Sequence, residues 1–224
     1  MNSLKDRVVL ITGASRGIGA ETARLFAGEG ARLILCARNE EKLREVADEV
    51  GARAVRCDVS AEKSVEELFS VVWEEFGRLD VVVNNAGIFR CMPFTDTSPE
   101  VFDEVVSVNL RGVFLVSRKA FELMSCGEGG IIINISSTAG KQAFDGSSAY
   151  CASKFGVVGL SRVLALEGRE LGIRVTVIYP GAVDTDIWDG ISDERRGFLK
   201  PEEVAKTILF ATQADVGELD IRPF

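Results

Sequence analysis

Thr12-Gly13-Ala14-Ser15-Arg16-Gly17-Ile18-Gly19 joins an apolar, strand-like run to a helical pattern near the start of this 224-residue chain. Glycines in such a turn let the backbone approach an anionic group closely, and the following helix N-terminus offers it unpaired N–H groups. An ordinary glycine-rich turn has the same composition, but the strand before it and the helix after it favour nucleotide binding. The spacing Gly-x-x-x-Gly-x-Gly has one residue more than the usual dinucleotide fingerprint.

Short β-branched runs alternate with longer helical patterns along the rest of the chain. Strands are predicted at Val8–Thr12, Arg32–Cys36, Ala54–Cys57, Leu79–Asn84, Ile131–Ser136, Arg174–Tyr179 and, as a last edge strand, Leu219–Ile221. Helices are predicted at Ile18–Glu29, Glu40–Val50, Ala61–Phe76, Pro99–Met124, Ala149–Leu171 and from Pro201 to about Thr212. The pattern predicts the α/β class, with a single Rossmann-like, doubly wound parallel sheet of about seven strands and helices on both faces. Without an interior linker, residues 1–224 are expected to form one dinucleotide-binding domain.

Charge and composition argue against several classes of protein and of binding site. The net charge of −8 argues against a nucleic-acid partner and against an anionic membrane surface. No apolar run is seen to approach the ~18–20 residues of a membrane-spanning helix. The five cysteines have no paired spacing and the chain has no histidine, so we expect no metal site, reduced thiols and a cytoplasmic location.

The segment Tyr150-Cys151-Ala152-Ser153-Lys154 carries the candidate acid–base chemistry, and Ser137 precedes it. Residues four apart share one helix face, so the Tyr150 phenol and the Lys154 ammonium are expected to converge. A nearby positive charge favours the phenolate and lowers a tyrosine pKa, which suits proton exchange with an alcohol or a carbonyl. Cys151 lacks a histidine partner and is predicted to be a packing residue rather than a nucleophile.

The ends of the next strands indicate the cofactor. Asp58-Val59 and Asn84-Asn85-Ala86-Gly87 follow predicted strands, where ligands bind in such sheets, although Asp58 is equally suited to cap the helix near Ala61. The second strand ends in Cys36-Ala37-Arg38-Asn39, without the carboxylate that would accept bonds from a ribose 2′-OH. Arg16 and Arg38 are suited to a 2′-phosphate, so NADP(H) is favoured over NAD(H).

In its motifs the chain resembles the classical short-chain dehydrogenase/reductase (SDR) family. The matching residues are Thr12–Gly19, Asp58, Asn84–Gly87, Asn109, Ser137, Tyr150–Lys154 and Pro180-Gly181. They span roughly residues 5 to 185 in the family's order and spacing. The resemblance implies a single oxidoreductase domain that transfers a hydride between a nicotinamide cofactor and a small substrate.

The resemblance also implies residue roles. Tyr150 would be the general acid in carbonyl reduction and the base in alcohol oxidation, and Lys154 would hold the nicotinamide ribose and lower the Tyr150 pKa. Ser137 would bind the substrate oxygen, and Asn109 would anchor a water on a proton route. The implied cofactor-binding residues are Gly13, Ser15, Arg16, Gly17, Ile18, Gly19, Arg38, Asp58, Val59, Asn85, Ala86, Gly87, Tyr150, Lys154, Pro180, Gly181, Val183 and Thr185.

Two features depart from the family pattern. The substrate lid, around residues 184–200, is short, which favours a small substrate or an open site. Phe144, Ile187, Trp188 and Phe198 either line that site or pack in its walls. The chain ends at Gly217–Phe224 without the glycine-rich tail of many relatives. We therefore expect a homo-oligomer, dimer or tetramer, with the long helices favouring the dimer.

The leading hypothesis is an NADP(H)-dependent enzyme that interconverts a small ketone or aldehyde and its alcohol. A 3-oxoacyl-acyl-carrier-protein reductase is the enzymatic alternative, and the acidic surface argues mildly against it because carrier proteins are acidic. A non-catalytic NADP-binding sensor is the alternative from another class. Such a sensor would not need Ser137, Tyr150 and Lys154, all of which this chain retains.

Overall fold

A computed structural model describes residues 4–190 and 196–222 of the chain. Within these residues the strands are β1 (Val8–Thr12), β2 (Arg32–Ala37), β3 (Arg53–Arg56), β4 (Val81–Asn84), β5 (Gly130–Ile135), β6 (Ile173–Pro180) and β7 (Glu218–Ile221). They form one sheet in the order β3-β2-β1-β4-β5-β6-β7, and every neighbouring pair is parallel. The predicted parallel sheet is confirmed, with β7 as its edge strand.

Helices cover both faces of the sheet. They are α1 (Gly17–Gly28), α2 (Glu40–Val50), α3 (Glu62–Phe76), α4 (Pro99–Val106), α5 (Gly112–Ser125), α6 (Ser148–Gly168) and α7 (Pro201–Gln213). Side chains of β1 alternate between two apolar layers: Val9 and Ile11 pack with α1, α2 and α7, whereas Val8 and Leu10 pack with α3 and α5. Burial on both sides explains why the central strands β1 and β4 lack a polar face, whereas the edge strands β3 and β7 carry exposed charged residues.

The prediction of one continuous α-helix over Pro99–Met124 is wrong, because the α-helix is interrupted. Between α4 and α5, Ser107–Arg111 forms a π-helical turn that contains Asn109. Apolar periodicity does not distinguish this wider turn from an α-helix, because the flanking helices keep the same buried face. Most other bounds differ from the expected ones by one or two residues. Gly51, Gly77 and Gly172 end their helices at φ of 66°, 67° and 68°, a region that favours glycine.

The expectation that no long apolar helix exists is also corrected. Ser148–Leu171, which comprises α6 and the 3₁₀ turn after it, has a mean hydropathy of 1.3 and is long enough to cross a membrane. In the structure α6 packs on β6 and α4 as part of the helical layer. Packing against the sheet accounts for part of its hydropathy, because helices in a globular fold are apolar on their buried side, and the exposed Phe155, Val163 and Leu166 contribute to the rest.

The glycines of the turn after β1 are needed for close packing. A methyl group on Gly19 would lie 2.5 Å from the Gly13 carbonyl oxygen and 2.6 Å from the Asn85 side-chain nitrogen. Gly28 ends the same helix, is exposed, and has nothing within 4 Å of the corresponding position. Gly19 and Gly28 therefore differ in packing although they share a helix.

We predict that Gly19→Ala lowers the free energy of unfolding by about 1–3 kcal/mol because the methyl group overpacks the turn. Gly28→Ala should leave it unchanged or raise it by up to ~1 kcal/mol, the difference in helix propensity. Urea unfolding followed by circular dichroism measures both. Equal stabilities for the two variants would contradict the packing described for this turn.

Candidate active site

The strand order reverses at the centre of the sheet, where chain direction leads from β1 outward to β2 on one side and from β4 outward to β5 on the other. A cavity of about 750 Å³ opens at this point, lined by the segments after β1, β2, β3, β4, β5 and β6. Such a crevice at the carboxyl ends of the strands is the ligand-binding position in doubly wound sheets.

The turn after β1 forms the floor of this cavity. Thr12 Oγ1 accepts hydrogen bonds from the backbone N–H groups of Asn85 and Ala86, each at 3.0 Å. Asn85 Nδ2 donates in return to the carbonyl oxygens of Thr12 (3.0 Å) and Gly13 (3.2 Å). The turn is thus fixed against the end of β4.

The first turn of α1 has no side-chain cap. Arg16 occupies the N-cap position in extended conformation, and its side chain does not bond to the helix backbone. Gly17 and Ile18, the first helical residues, line the cavity. Uncapped N–H groups and the positive end of the helix dipole form an anion site. A dinucleotide's phosphates fit here, with the close approach of Gly13 to Ala86 keeping the turn narrow.

Three cations line the part of the cavity near the end of β2. Arg38 and Lys42 flank the N-terminus of α2, and Arg16 projects from the turn after β1. Arg16 is ion-paired with Asp186 of the lid at 3.0 Å, and both side chains are about half exposed (57% and 46%). Lys42 was not recognised in the sequence, although its position four residues after Arg38 was a usable signal.

Asp58, in the segment after β3, also lines the cavity. Its carboxylate accepts from the Ser60 N–H at 3.0 Å and from the Ser60 hydroxyl at 2.7 Å, which makes a local turn. The helix beyond it begins at Glu62 with Ala61 as N-cap, so the capping role considered for Asp58 is wrong. Although burial opposes ionisation, the Ser60 hydrogen bonds and the charge of Arg38 hold the pKa of Asp58 below its usual value.

Ser137, Tyr150 and Lys154 lie together at the other part of the cavity. Tyr150 and Lys154 occupy one face of α6, as predicted, and the Lys154 ammonium is 5.6 Å from the centre of the Tyr150 ring. The Lys154 side chain is 5% exposed, and its Nζ donates to the Ile135 carbonyl oxygen at 2.8 Å. Burial lowers the pKa of Lys154 to about 8.

The Tyr150 pKa departs from the expectation. Burial raises it to about 12, and the hydrogen bond with the Ser137 hydroxyl opposes that rise without reversing it. In the protein without a cofactor, the charge of Lys154 does not lower the Tyr150 pKa. The Tyr150 phenol is therefore protonated over the whole neutral range, which is the form that the acid role requires.

Asn109 lies beneath the cavity wall rather than in it. Its Oδ1 accepts from the Ile88 N–H at 2.8 Å, while its Nδ2 donates to the Ile88 carbonyl at 2.9 Å and to Ser153 Oγ at 3.1 Å. The π-helical turn places this fully buried amide against both the segment after β4 and α6. Asn109 thereby positions the backbone next to Gly87 and the helix that carries Tyr150.

Aromatic side chains close the cavity beyond Tyr150. The Phe89 ring contacts Tyr150 edge-on at 4.8 Å between centroids and Trp188 at 5.3 Å, and Trp188 contacts Phe198 at 5.2 Å. Phe144, Ile187 and Trp188 line the cavity, whereas Phe198 is not among the lining residues and packs behind Trp188. The lid base is closed by backbone bonds between Ala182–Asp184 and Leu199. Residues 191–195 of the predicted lid lie outside the described residues.

The structure brings nearly all predicted site residues to this one cavity. Those that line it are Gly13, Ser15, Arg16, Gly17, Ile18, Arg38, Asp58, Val59, Asn85, Ala86, Gly87, Ser137, Tyr150, Lys154, Pro180, Gly181, Val183 and Thr185. Gly19 and Asn109 lie behind its walls. The sequence did not reveal Phe89, Cys91, Asp145 and Asp186, because single side chains in loops carry no periodic signal. Within the described residues, no group of His, Cys, Asp and Glu side chains could hold a metal ion.

Comparisons with known proteins identify the class. The family model for short chain dehydrogenase matches residues 7–196. D-threitol dehydrogenase of Mycolicibacterium smegmatis is 38% identical over 223 residues, with 92% of this chain and 86% of the relative covered. Among solved structures, levodione reductase superposes with a TM-score of 0.90 at 33% identity, covering 97% of this chain and 96% of that one.

A third relative is the 3-ketoacyl-(acyl-carrier-protein) reductase of Brucella melitensis, which was solved as a complex with NADH. It has a TM-score of 0.89, 33% identity and 98% coverage of both chains. The chain therefore belongs to the short-chain dehydrogenase/reductase family. It is accordingly an NAD(P)-dependent oxidoreductase.

We predict that Lys154→Met changes stability in a pH-dependent way. Folding lowers the Lys154 pKa from 10.5 to about 8, so between these values the folded wild type releases a proton that the unfolded chain keeps. Wild-type stability should thus rise relative to Lys154→Met between pH 7 and pH 10, by about 2–3 kcal/mol. Urea unfolding at the two pH values measures this change.

Lys206→Met is the matched control, because Lys206 is exposed on α7. Its stability difference from the wild type should be the same at both pH values. A constant difference for Lys154→Met as well would contradict the burial of the Lys154 charge.

Proposed function

We propose that this chain is an NADP(H)-dependent enzyme that interconverts a small ketone or aldehyde and its alcohol, with Tyr150 as the acid and base. The observation that carries this proposal is the convergence of Ser137, Tyr150 and Lys154 in the cavity that also receives the uncapped N-terminus of α1. When bound, the nicotinamide cofactor supplies or accepts the hydride. The protein's own residues then have to bind the substrate, orient it against the cofactor and exchange one proton with its oxygen.

Each catalytic residue has a distinct task under this proposal. The Tyr150 hydroxyl donates its proton to the carbonyl oxygen during reduction, and its raised pKa keeps that proton in place until transfer. The Ser137 hydroxyl, which neighbours the Tyr150 hydroxyl, is the second donor to the same oxygen. Lys154 would bind the nicotinamide ribose, and Asn109 would link this helix to a proton route.

The preference for NADP(H) is supported by the charges at the end of β2. Arg38, Lys42 and Arg16 line the cavity there, and β2 ends without a carboxylate. A 2′-phosphate would make charge-assisted hydrogen bonds with these three cations, whereas a ribose 2′-OH needs a hydrogen-bond acceptor. The other residues expected to bind the cofactor are proposed to contact it where they line the cavity.

The acyl-carrier-protein reductase stays the enzymatic alternative, and the similarity to the Brucella reductase supports it. The net charge of −8 argues against an acidic carrier protein as the substrate. A non-catalytic sensor is disfavoured because Ser137, Tyr150 and Lys154 are all retained. The cytoplasmic location stays a prediction.

Homo-oligomerisation is also part of the proposal. Phe155, Val163 and Leu166 of α6 are exposed, at 47%, 49% and 71%, and Phe102 of α4 and Phe114 of α5 are exposed as well. Apolar surface of this kind on neighbouring helices is typical of subunit contacts. It favours a dimer through α4–α6 over an assembly that depends on the C-terminal strand.

We predict that Arg38→Asp lowers kcat/KM for NADPH by about 100-fold, the value of a lost charge-assisted contact plus repulsion of the 2′-phosphate. With NADH the change should stay within about threefold. The control is Arg44→Asp, which makes the same charge change on α2 at a residue outside the cavity and should affect neither cofactor. Initial rates with both cofactors measure the effect. Equal or better use of NADH by the wild type would refute the preference.

We predict that Tyr150→Phe lowers ketone reduction at least ~100-fold, the usual contribution of a general acid, while NADPH binding by calorimetry changes little. Tyr179→Phe removes the same hydroxyl from the other tyrosine, which is buried outside the cavity, and should retain activity. Persistent turnover by Tyr150→Phe would refute the proposed mechanism. Tight NADPH binding by the wild type without turnover of any carbonyl in a broad panel would favour the sensor.

A further inference from the structure

The part of the cavity beyond Tyr150 is lined mainly by apolar side chains. They are Ile88, Phe89, Cys91, Phe144, Ile187 and Trp188, which come from the segment after β4, the segment before α6 and the lid. The same segments add three polar lining residues, Asp145, Ser147 and Asp186. Three different chain segments thus contribute rings or aliphatic groups to one surface. A wall of this composition gains free energy by burying apolar ligand surface and offers few hydrogen bonds.

The two rings nearest the reacting position present carbon atoms only. Phe89 contacts Tyr150 edge-on and bridges it to Trp188. The one polar atom of the Trp188 ring, Nε1, already donates to the Val183 carbonyl oxygen at 3.0 Å. Its indole is therefore held in place by the lid backbone and is left as an aromatic surface.

The charges of the cavity lie elsewhere or are already engaged. Among the described lining residues the cations are Arg16, Arg38, Lys42 and Lys154. Arg16, Arg38 and Lys42 are the cations proposed to bind the cofactor, and Lys154 donates to the Ile135 carbonyl oxygen. Asp145, an exposed carboxylate, lines the same part of the cavity as Phe144.

This distribution selects against anionic and polyhydroxylated substrates. A carboxylate or phosphate beside the carbonyl would meet Asp145 and no described cation that is free to pair with it, and burying an unpaired charge is costly. Hydroxyl groups placed against Phe89 and Trp188 would lose water there without gaining a hydrogen bond from either ring. An uncharged apolar group loses nothing on entering this space.

We propose that the substrate class of this site is the neutral ring ketones, cyclic or aryl, together with their secondary alcohols. The ring packs against the surface that Phe89 and Trp188 form together, and the carbonyl oxygen points to Tyr150 and Ser137. In reduction the carbonyl carbon gains the hydride of the reduced nicotinamide cofactor and the oxygen gains the Tyr150 proton, which gives the alcohol. This inference rests on the proposed function and adds the class of substrate to it.

Matched ketones test the inference on the wild-type enzyme with NADPH. We expect kcat/KM for cyclohexanone to exceed that for dihydroxyacetone at least tenfold. The kcat/KM for the methyl ester of 4-oxocyclohexanecarboxylic acid should exceed that for the free carboxylate at least tenfold, since the two compounds differ chiefly in charge. Preferred turnover of dihydroxyacetone or of the carboxylate would overturn the substrate class and leave the proposed function standing. No turnover of any ketone would refute both.

The two tryptophans provide a matched pair of variants. Trp188→Leu should lower kcat/KM for cyclohexanone at least fivefold, mainly through a higher KM, and change that for acetone less than twofold. Trp73→Leu should change neither, because Trp73 is 60% exposed on α3. Equal losses for both ketones in Trp188→Leu, or no loss for either, would overturn the assignment of Trp188 to the ring site.

A binding measurement is independent of turnover and of the folding of Trp188→Leu. In the double variant Trp73→Phe/Tyr150→Phe, Trp188 is the sole tryptophan of the chain. With NADP⁺ present, cyclohexanol should change its emission saturably, whereas glycerol at the same concentrations should not. A saturable response to glycerol alone would overturn the inference.

Discussion

The hydrogen bonds between the turn after β1 and the end of β4 are the interaction on which the rest of the site depends. Thr12 and Asn85 exchange bonds through both backbone and side chain, and this holds the two strand ends together where the strand order reverses. The same contact fixes the uncapped start of α1 on one side and Asn85–Gly87 on the other. The turn after β1 and the segment after β4, which both line the cavity, are therefore held together at this point.

A second polar network places the catalytic helix relative to the sheet. Asn84 Nδ2 donates to Ser117 Oγ at 3.0 Å and to Asn134 Oδ1 at 2.8 Å, and Asn134 Nδ2 donates to Ser161 Oγ at 2.8 Å. These buried groups connect β4, α5, β5 and α6. A satisfied network in a low-dielectric core fixes one arrangement, since any shift leaves a polar group without a partner. The register of α6, and with it Tyr150 and Lys154, is thereby set by residues outside the cavity.

The fold was predictable from the sequence because its determinants are periodic or local. β-branched runs, helix-ending glycines and the turn after β1 each fix one element, and their order leaves few topologies. The π-helical turn at Asn109 was not predictable in this way, since it depends on hydrogen bonds to Ile88 and Ser153 made only in the folded chain. Phe89 was missed for the same reason, whereas Trp188 and Phe144 were candidates from the sequence. Phe89 lies in a loop far from Trp188 in sequence, and the two rings meet only in the folded chain.

The direction of the Tyr150 pKa was predicted wrongly because the spacing of Tyr150 and Lys154 says nothing about burial. Desolvation acts on both groups and favours their neutral forms, so it raises the pKa of the phenol and lowers that of the ammonium. Under the proposed function this has a consequence for the two directions of reaction. Reduction needs the protonated phenol, which the protein alone provides. Oxidation needs the phenolate, and the positive charge of an oxidised nicotinamide in the same cavity favours that form. The Tyr150 hydroxyl would then serve as the acid in reduction and as the base in oxidation, with Lys154 beside it in both directions.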